Sequence, residues 1–65
     1  MVDFQINDQG SIVGFTPLTE AAQAFLDDNV EYEPWQIMGN TLWVDHRYAD
    51  DLRDGIVADG LMVDA

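Results

Sequence analysis

The chain has 65 residues and no cysteine, and its 13 acidic side chains face only two basic ones, Arg47 and Arg53, for a formal net charge of −11. That length supports one small domain with a modest core, and without thiols there are no disulfides and no thiolate zinc sites. The charge excludes ordinary binding to DNA, RNA or anionic membranes, which takes a positive footprint, and makes a basic surface the attractive partner.

Val2, Phe4 and Ile6 alternate with Asp3 and Gln5, the period of a half-buried strand. Asn7-Asp8-Gln9-Gly10 has turn chemistry. Ser11 to Thr16 reads as the return strand of a hairpin, with Ile12 and Phe15 apolar and Gly14 suggesting a bulge between them. Pro17 stops that strand. Thr19 is a good helix N-cap, and Glu20 falls in the first turn, where the helix dipole favours an anion. Ala21, Ala22, Phe25 and Leu26 give the first helix an apolar face to about Asp28, with Asn29 as its cap. Val30 to Pro34 is a connector carrying Glu31, Tyr32 and Glu33. Trp35 to Met38 and Thr41 to Val44 are strand-like and joined by Gly39-Asn40, a two-residue hairpin signal. Trp35, Ile37, Leu42 and Val44 are expected on the buried face, and Trp43 on the other. A second helix spans Asp45 to Asp59 with Gly60 just past its end, and Leu61 to Val63 form a short last strand. The order is ββαββαβ, and residues 1–65 are expected to form a single compact α+β domain, an antiparallel sheet packed against two helices. No repeat, linker or low-complexity tract interrupts it.

The second helix is the most informative stretch. Tyr48, Leu52 and Ile56 recur every four residues with Ala49 beside them, so one stripe is apolar. Asp50, Asp51 and Asp54 fall on the opposite side. Helix positions three and four apart lie about 5–6 Å apart at Cβ, close to the roughly 6–7 Å step between phosphates that follows from the rise along a nucleic-acid strand. Gly55 inside the helix and the like charges of Asp50 and Asp54 both weaken it, by about 0.5–1 kcal/mol and a few tenths respectively, which favours a functional acidic face. Ten of the 13 acids are Asp, whose short stem holds charge near the backbone, and there is no lysine. The acids fall into Asp27, Asp28, Glu31 and Glu33, then Asp45, Asp50, Asp51 and Asp54, then Asp59 and Asp64. If both helices lie on one side of the sheet, the first two groups border a shared acidic surface that can occupy a DNA-binding cleft by setting carboxylates where phosphates belong. A competing reading is adaptation to a saline habitat.

Other chemistry finds little support. His46 follows Asp45, but no nucleophile or oxyanion site accompanies the pair. Asp50, Asp51 and Asp54 lack the calcium-loop spacing, and carboxylates on one straight helix diverge too far to wrap the about six to eight oxygens calcium takes. Gly55 to Gly60 is no phosphate loop. The reading is of a non-enzyme with no metal and no cofactor. Trp35 and Tyr48 are expected in the core, and Trp43 is expected as an outward contact anchor. Apolar residues make up 48% of the chain, too many for a disordered acidic tail. No apolar run of roughly 18 residues and no basic, hydrophobic leader occurs, so a soluble, cytoplasmic protein is expected.

Pro17-Leu18-Thr19, Ala21-Ala22, Phe25-Leu26, Trp35, Leu42, Val44, Arg47-Tyr48, Asp51-Leu52, Gly55 and Asp59-Gly60-Leu61 resemble a family of small uncharacterised proteins of bacteria and their mobile elements. In acidity and size the chain also resembles anti-CRISPR proteins, in particular small acidic inhibitors of the type I-C surveillance complex. The resemblance covers nearly the whole chain and identifies no catalytic group. It implies a phage or mobile-element protein that acts inside a bacterial host, binds a DNA-binding CRISPR effector and blocks target-DNA recruitment. The partner-binding residues, read from charge alone, are Asp27, Asp28, Glu31, Glu33, Asp45, Asp50, Asp51, Asp54 and Trp43. A monomer is expected, with no direct contact to nucleic acid or membrane. The alternative is a small acidic protein-interaction module, antitoxin-like or a phage assembly partner, without DNA mimicry.

Overall fold

The computed structural model describes residues 1–64. Its elements are β1 (Phe4–Asp8), β2 (Ile12–Pro17), α1 (Glu20–Asn29), a 3-10 turn (Pro34–Gln36), β3 (Ile37–Met38), β4 (Thr41–Asp45), α2 (His46–Ala58) and β5 (Val63–Asp64). This is the expected ββαββαβ order in an α+β domain. The five strands form one sheet in the order β3-β4-β2-β1-β5. The β1–β2, β2–β4 and β3–β4 pairs are antiparallel, whereas β5 pairs parallel with β1, so the sheet is mixed. The parallel pair arises because α2 carries the chain from β4 across the sheet to its far edge, and β5 then runs in the same direction as β4 and β1.

Local chemistry explains most of the element ends. In the β1–β2 turn the Gly10 N–H donates to Asp8 Oδ1 at 2.7 Å, and Gly10 takes φ +91°. Thr19 caps α1 by accepting the Ala22 N–H at 3.1 Å; at the other end Asn29, expected as the cap, is the last helical residue, and Val30 is the C-cap, its N–H donating to Leu26 O. In the β3–β4 link only Gly39 has positive φ, at +65°, the pattern of a type II′ turn with glycine first. Asp45 caps α2 by accepting the Arg47 N–H. At the other end Gly60 donates to Val57 O and Leu61 to Ile56 O, the paired bonds of a Schellman cap.

The core lies between the sheet and both helices. Phe4, Val13, Phe15, Leu42 and Val44 come from the sheet, Ala22, Phe25 and Leu26 from α1, and Ala49, Leu52 and Ile56 from α2. The Phe4 ring meets Phe15 and Phe25 edge-on, with centroids 6.4 and 6.3 Å away. Both helices therefore cover the same face. Among the described residues no polar or charged side chain is buried, and no helix is long and apolar enough to cross a membrane.

Besides the sheet, expected to be antiparallel, and the end of α1, three sequence expectations change. First, Gly14 makes no bulge, because β2 stays in unbroken register with β1 and β4. Val13 and Phe15 therefore face the core, while Ile12, Gly14 and Thr16 face away from the helices. Second, Trp35 is in the 3-10 turn, not in a strand, and is 77% exposed. Third, Tyr48 stands at the edge of the α2 stripe and is 44% exposed; Ala49, Leu52 and Ile56 fill the core.

Candidate partner-binding surfaces

The acids of the two helices belong to one layer. Asp27 and Asp28 end α1, and Asp50, Asp51 and Asp54 line the outer side of α2; all five are exposed. The α2 trio straddles the helix crest. Asp51 borders a groove between the helices with Phe25, Asn29, Tyr48, Gly55 and Asp59. Asp50 borders a cleft on the other flank with Ile6, Asp8 and Arg53. Successive helix positions are turned by about 100°, which sends Asp50 and Asp51 to opposite flanks and leaves Asp54 between them one turn on. Glu31 and Glu33 are exposed in the connector after α1.

Asp45 occupies a different place. It ends β4 opposite Ile12, on the open face of the sheet, and caps α2. The Arg47 backbone N–H, followed by the charges of Arg47 and His46, holds its carboxyl below the usual aspartate range. Its Oδ1 lies 2.8 Å from the Arg47 N and 3.6 Å from Arg47 Nε. The Asp45 carboxylate is thus turned to Arg47. His46 is exposed, and among the described residues no three His, Cys, Asp or Glu side chains converge as metal ligands.

Trp43 is also on the open face, half-buried, across the sheet from the helix acids. It is opposite Gly14, and a Cβ built on Gly14 would stand 2.9 Å from the Trp43 ring and from Thr41 Cγ2. The structure therefore divides the expected site. Asp27, Asp28, Asp50, Asp51 and Asp54 share the helical layer, whereas Trp43 and Asp45 belong to the opposite face. The residues of β1, β2 and β4 that point outward between the strand ends are Gln5, Asn7, Gly14, Thr16 and Trp43, none of them charged. Charge is concentrated on one layer and at the strand ends.

Sequence reasoning missed Asp3. Its Oδ1 accepts the Thr19 hydroxyl at 2.7 Å and its Oδ2 accepts the Met62 N–H at 3.0 Å. Its own N–H donates to Met62 O, and its carbonyl accepts from Leu18. The Met62 N–H first, then the Thr19 hydroxyl, holds this carboxyl below the usual range. Asp3 thus joins the start of α1 to the last strand. Its only signal in the sequence is an acid in an outward strand position, which describes many solvated residues equally well. Comparison of the chain with protein-family profiles, with curated proteins and with solved structures finds no match.

Proposed function

We propose that the chain acts by binding, setting its acidic helical layer into the positive nucleic-acid cleft of a partner protein and so excluding the nucleic acid. The observation that carries this reading is the packing of both helices on one side of the sheet, with Asp27, Asp28, Asp50, Asp51 and Asp54 all exposed there. Each carboxylate offers two acceptor oxygens to a cleft arginine, and such bonds are charge-assisted and stronger than neutral ones. The field of a chain carrying −11 speeds encounter with a basic partner, and salt weakens that attraction. The partner class rests on the sequence resemblance: a DNA-binding CRISPR effector of type I-C, inside a bacterial host, met by a protein from a phage or mobile element.

The test is competition for labelled target DNA on the type I-C surveillance complex. The protein is expected to displace DNA, and added salt is expected to weaken both ligands together. Asp50→Asn, Asp51→Asn and Asp54→Asn combined should leave the fold intact and weaken displacement by roughly tenfold or more, about 1.4 kcal/mol or above. Full displacement by the triple variant would show that α2 is not the contact. Binding that leaves DNA in place would favour an interaction module without mimicry.

A further inference from the structure

Pro34 opens a 3-10 turn that Gln36 fastens to the sheet. Gln36 Oε1 accepts the Glu33 N–H at 2.8 Å, and its Nε2 donates to the Trp43 carbonyl at 3.3 Å. That anchorage leaves Trp35 standing free, 77% exposed, next to Met38 at 69% and Ile12 at 45%. With Trp43, Val44 and Asp45 they line a groove of about 450 Å³. Exposed apolar side chains gathered in one place and rimmed by polar groups mark interaction sites more often than single ones do. Trp is also the residue type most enriched among interface anchors. Nothing in the fold requires Trp35 here, because the core closes without it.

Charge narrows the choice of occupant. The ionic group in the groove wall is Asp45, which already faces Arg47, so the unpaired negative charge at the rim comes from the exposed Glu33, just before the turn that carries Trp35. A second copy would bring −11 against −11. A strand added at the neighbouring edge would find only the two residues of β3 to pair with. An apolar side chain entering from above, flanked by lysine or arginine, meets both the aromatic walls and the acidic rim. We infer that the open sheet face is a second docking surface, distinct from the acidic helical layer, and that it takes a partner segment with an apolar core and basic flanks. This surface does not depend on nucleic-acid mimicry.

The test is a titration of isotope-labelled protein with three short synthetic peptides, read by nuclear magnetic resonance. One has a Leu-Phe core flanked by lysines, one has the same core flanked by glutamates, and one has lysines and serines with no apolar core. The first is expected to shift the Trp35 and Trp43 indole and Met38 methyl signals saturably, and the other two are not. Trp35→Ser with Met38→Ser, both exposed and so tolerated by the fold, should weaken that binding roughly tenfold or more. The triple Asn change on α2 should alter it by less than about threefold, the scale of a distant screened charge. Shifts confined to α2, equal binding of the glutamate peptide, or indifference to the serine pair would overturn the inference. So would a dimer seen by sedimentation that the serine pair abolishes, since a second copy would then cover the face. DNA competition and peptide titration read opposite faces, so either can fail alone.

Discussion

Gly14 and Trp43 show how one residue's identity follows from its neighbour across the sheet. The glycine is there because the Trp43 ring lies against its backbone, with no room for a Cβ. Gly14→Ala is therefore expected to cost about 1–3 kcal/mol, the range for overpacking, and to push Trp43 toward water. Urea unfolding with tryptophan emission checks both effects, and an unchanged midpoint would contradict the contact. Asp3 makes a second residue-scale case. Its folded pKa lies below the ordinary value of 3.8, so its ionised form favours the fold. That contribution is complete above the ordinary value and is lost as the pH falls through the lowered one. An amide oxygen at this position can replace one acceptor oxygen but not both. Asp3→Asn should therefore lower the Tm at neutral pH, and its gap to wild type should close below pH 3.8. A gap independent of pH would remove the charge from the explanation.

At the scale of elements, the glycine inside α2 and the one just past its end have opposite meanings. Gly55 is in the helix interior, where a Cβ would meet nothing closer than Phe25 Cζ at 3.8 Å, an ordinary contact. Gly55→Ala should stabilise by about 0.5–1 kcal/mol, the helix preference for alanine. Gly60 has φ +89° at the Schellman cap, where a Cβ is strained, so Gly60→Ala should destabilise by about 1–2 kcal/mol. Denaturant midpoints moving in the same direction would refute this account of the helix end. Two helix boundaries were legible because caps act within one turn: Thr19 and Gly60 announce them locally, whereas Asp45, read as helical, is the cap of α2, and Asn29, read as a cap, is the last residue of α1. The β3 boundary was not. Trp35 continues the strand alternation of Ile37, yet Pro34 and the two bonds of Gln36 fold that residue into a turn. Periodicity does not register those bonds.

The whole molecule settles which acids lie together. β2 to β3 and β4 to β5 are both crossovers between strands of the same direction, running to opposite edges of the sheet. A half-turn about the sheet normal interchanges them, so the strong preference for one crossover hand places both helices on one face. The resulting layer holds like charges close together and costs stability through repulsion. Raising the salt from 0.01 M to 1 M shortens the screening length from about 30 Å to about 3 Å. It should stabilise the fold by roughly 1 kcal/mol or more, about 4–8 °C in Tm for a domain this size. Calorimetry across that range checks it, and a flat Tm would mean the carboxylates scarcely feel one another. Salt thus acts in opposite directions on the fold and on the proposed complex.

Composition and short-range pattern by themselves determined the element order, the Thr19 cap and the glycine past α2, most of the core and the outward row on α2, because each depends on neighbours a few positions away. The pairing of β5 with β1, the shared side of the helices and the exposure of Trp35 were decided only in three dimensions. Strand order and side-chain contact across a sheet join residues remote in sequence, and hydrophobic periodicity is silent about which strand will lie beside which. For that reason the charge was visible in the chain, and the gathering of the helix acids on one layer, with uncharged outward positions on the central strands behind it, was visible only in the fold.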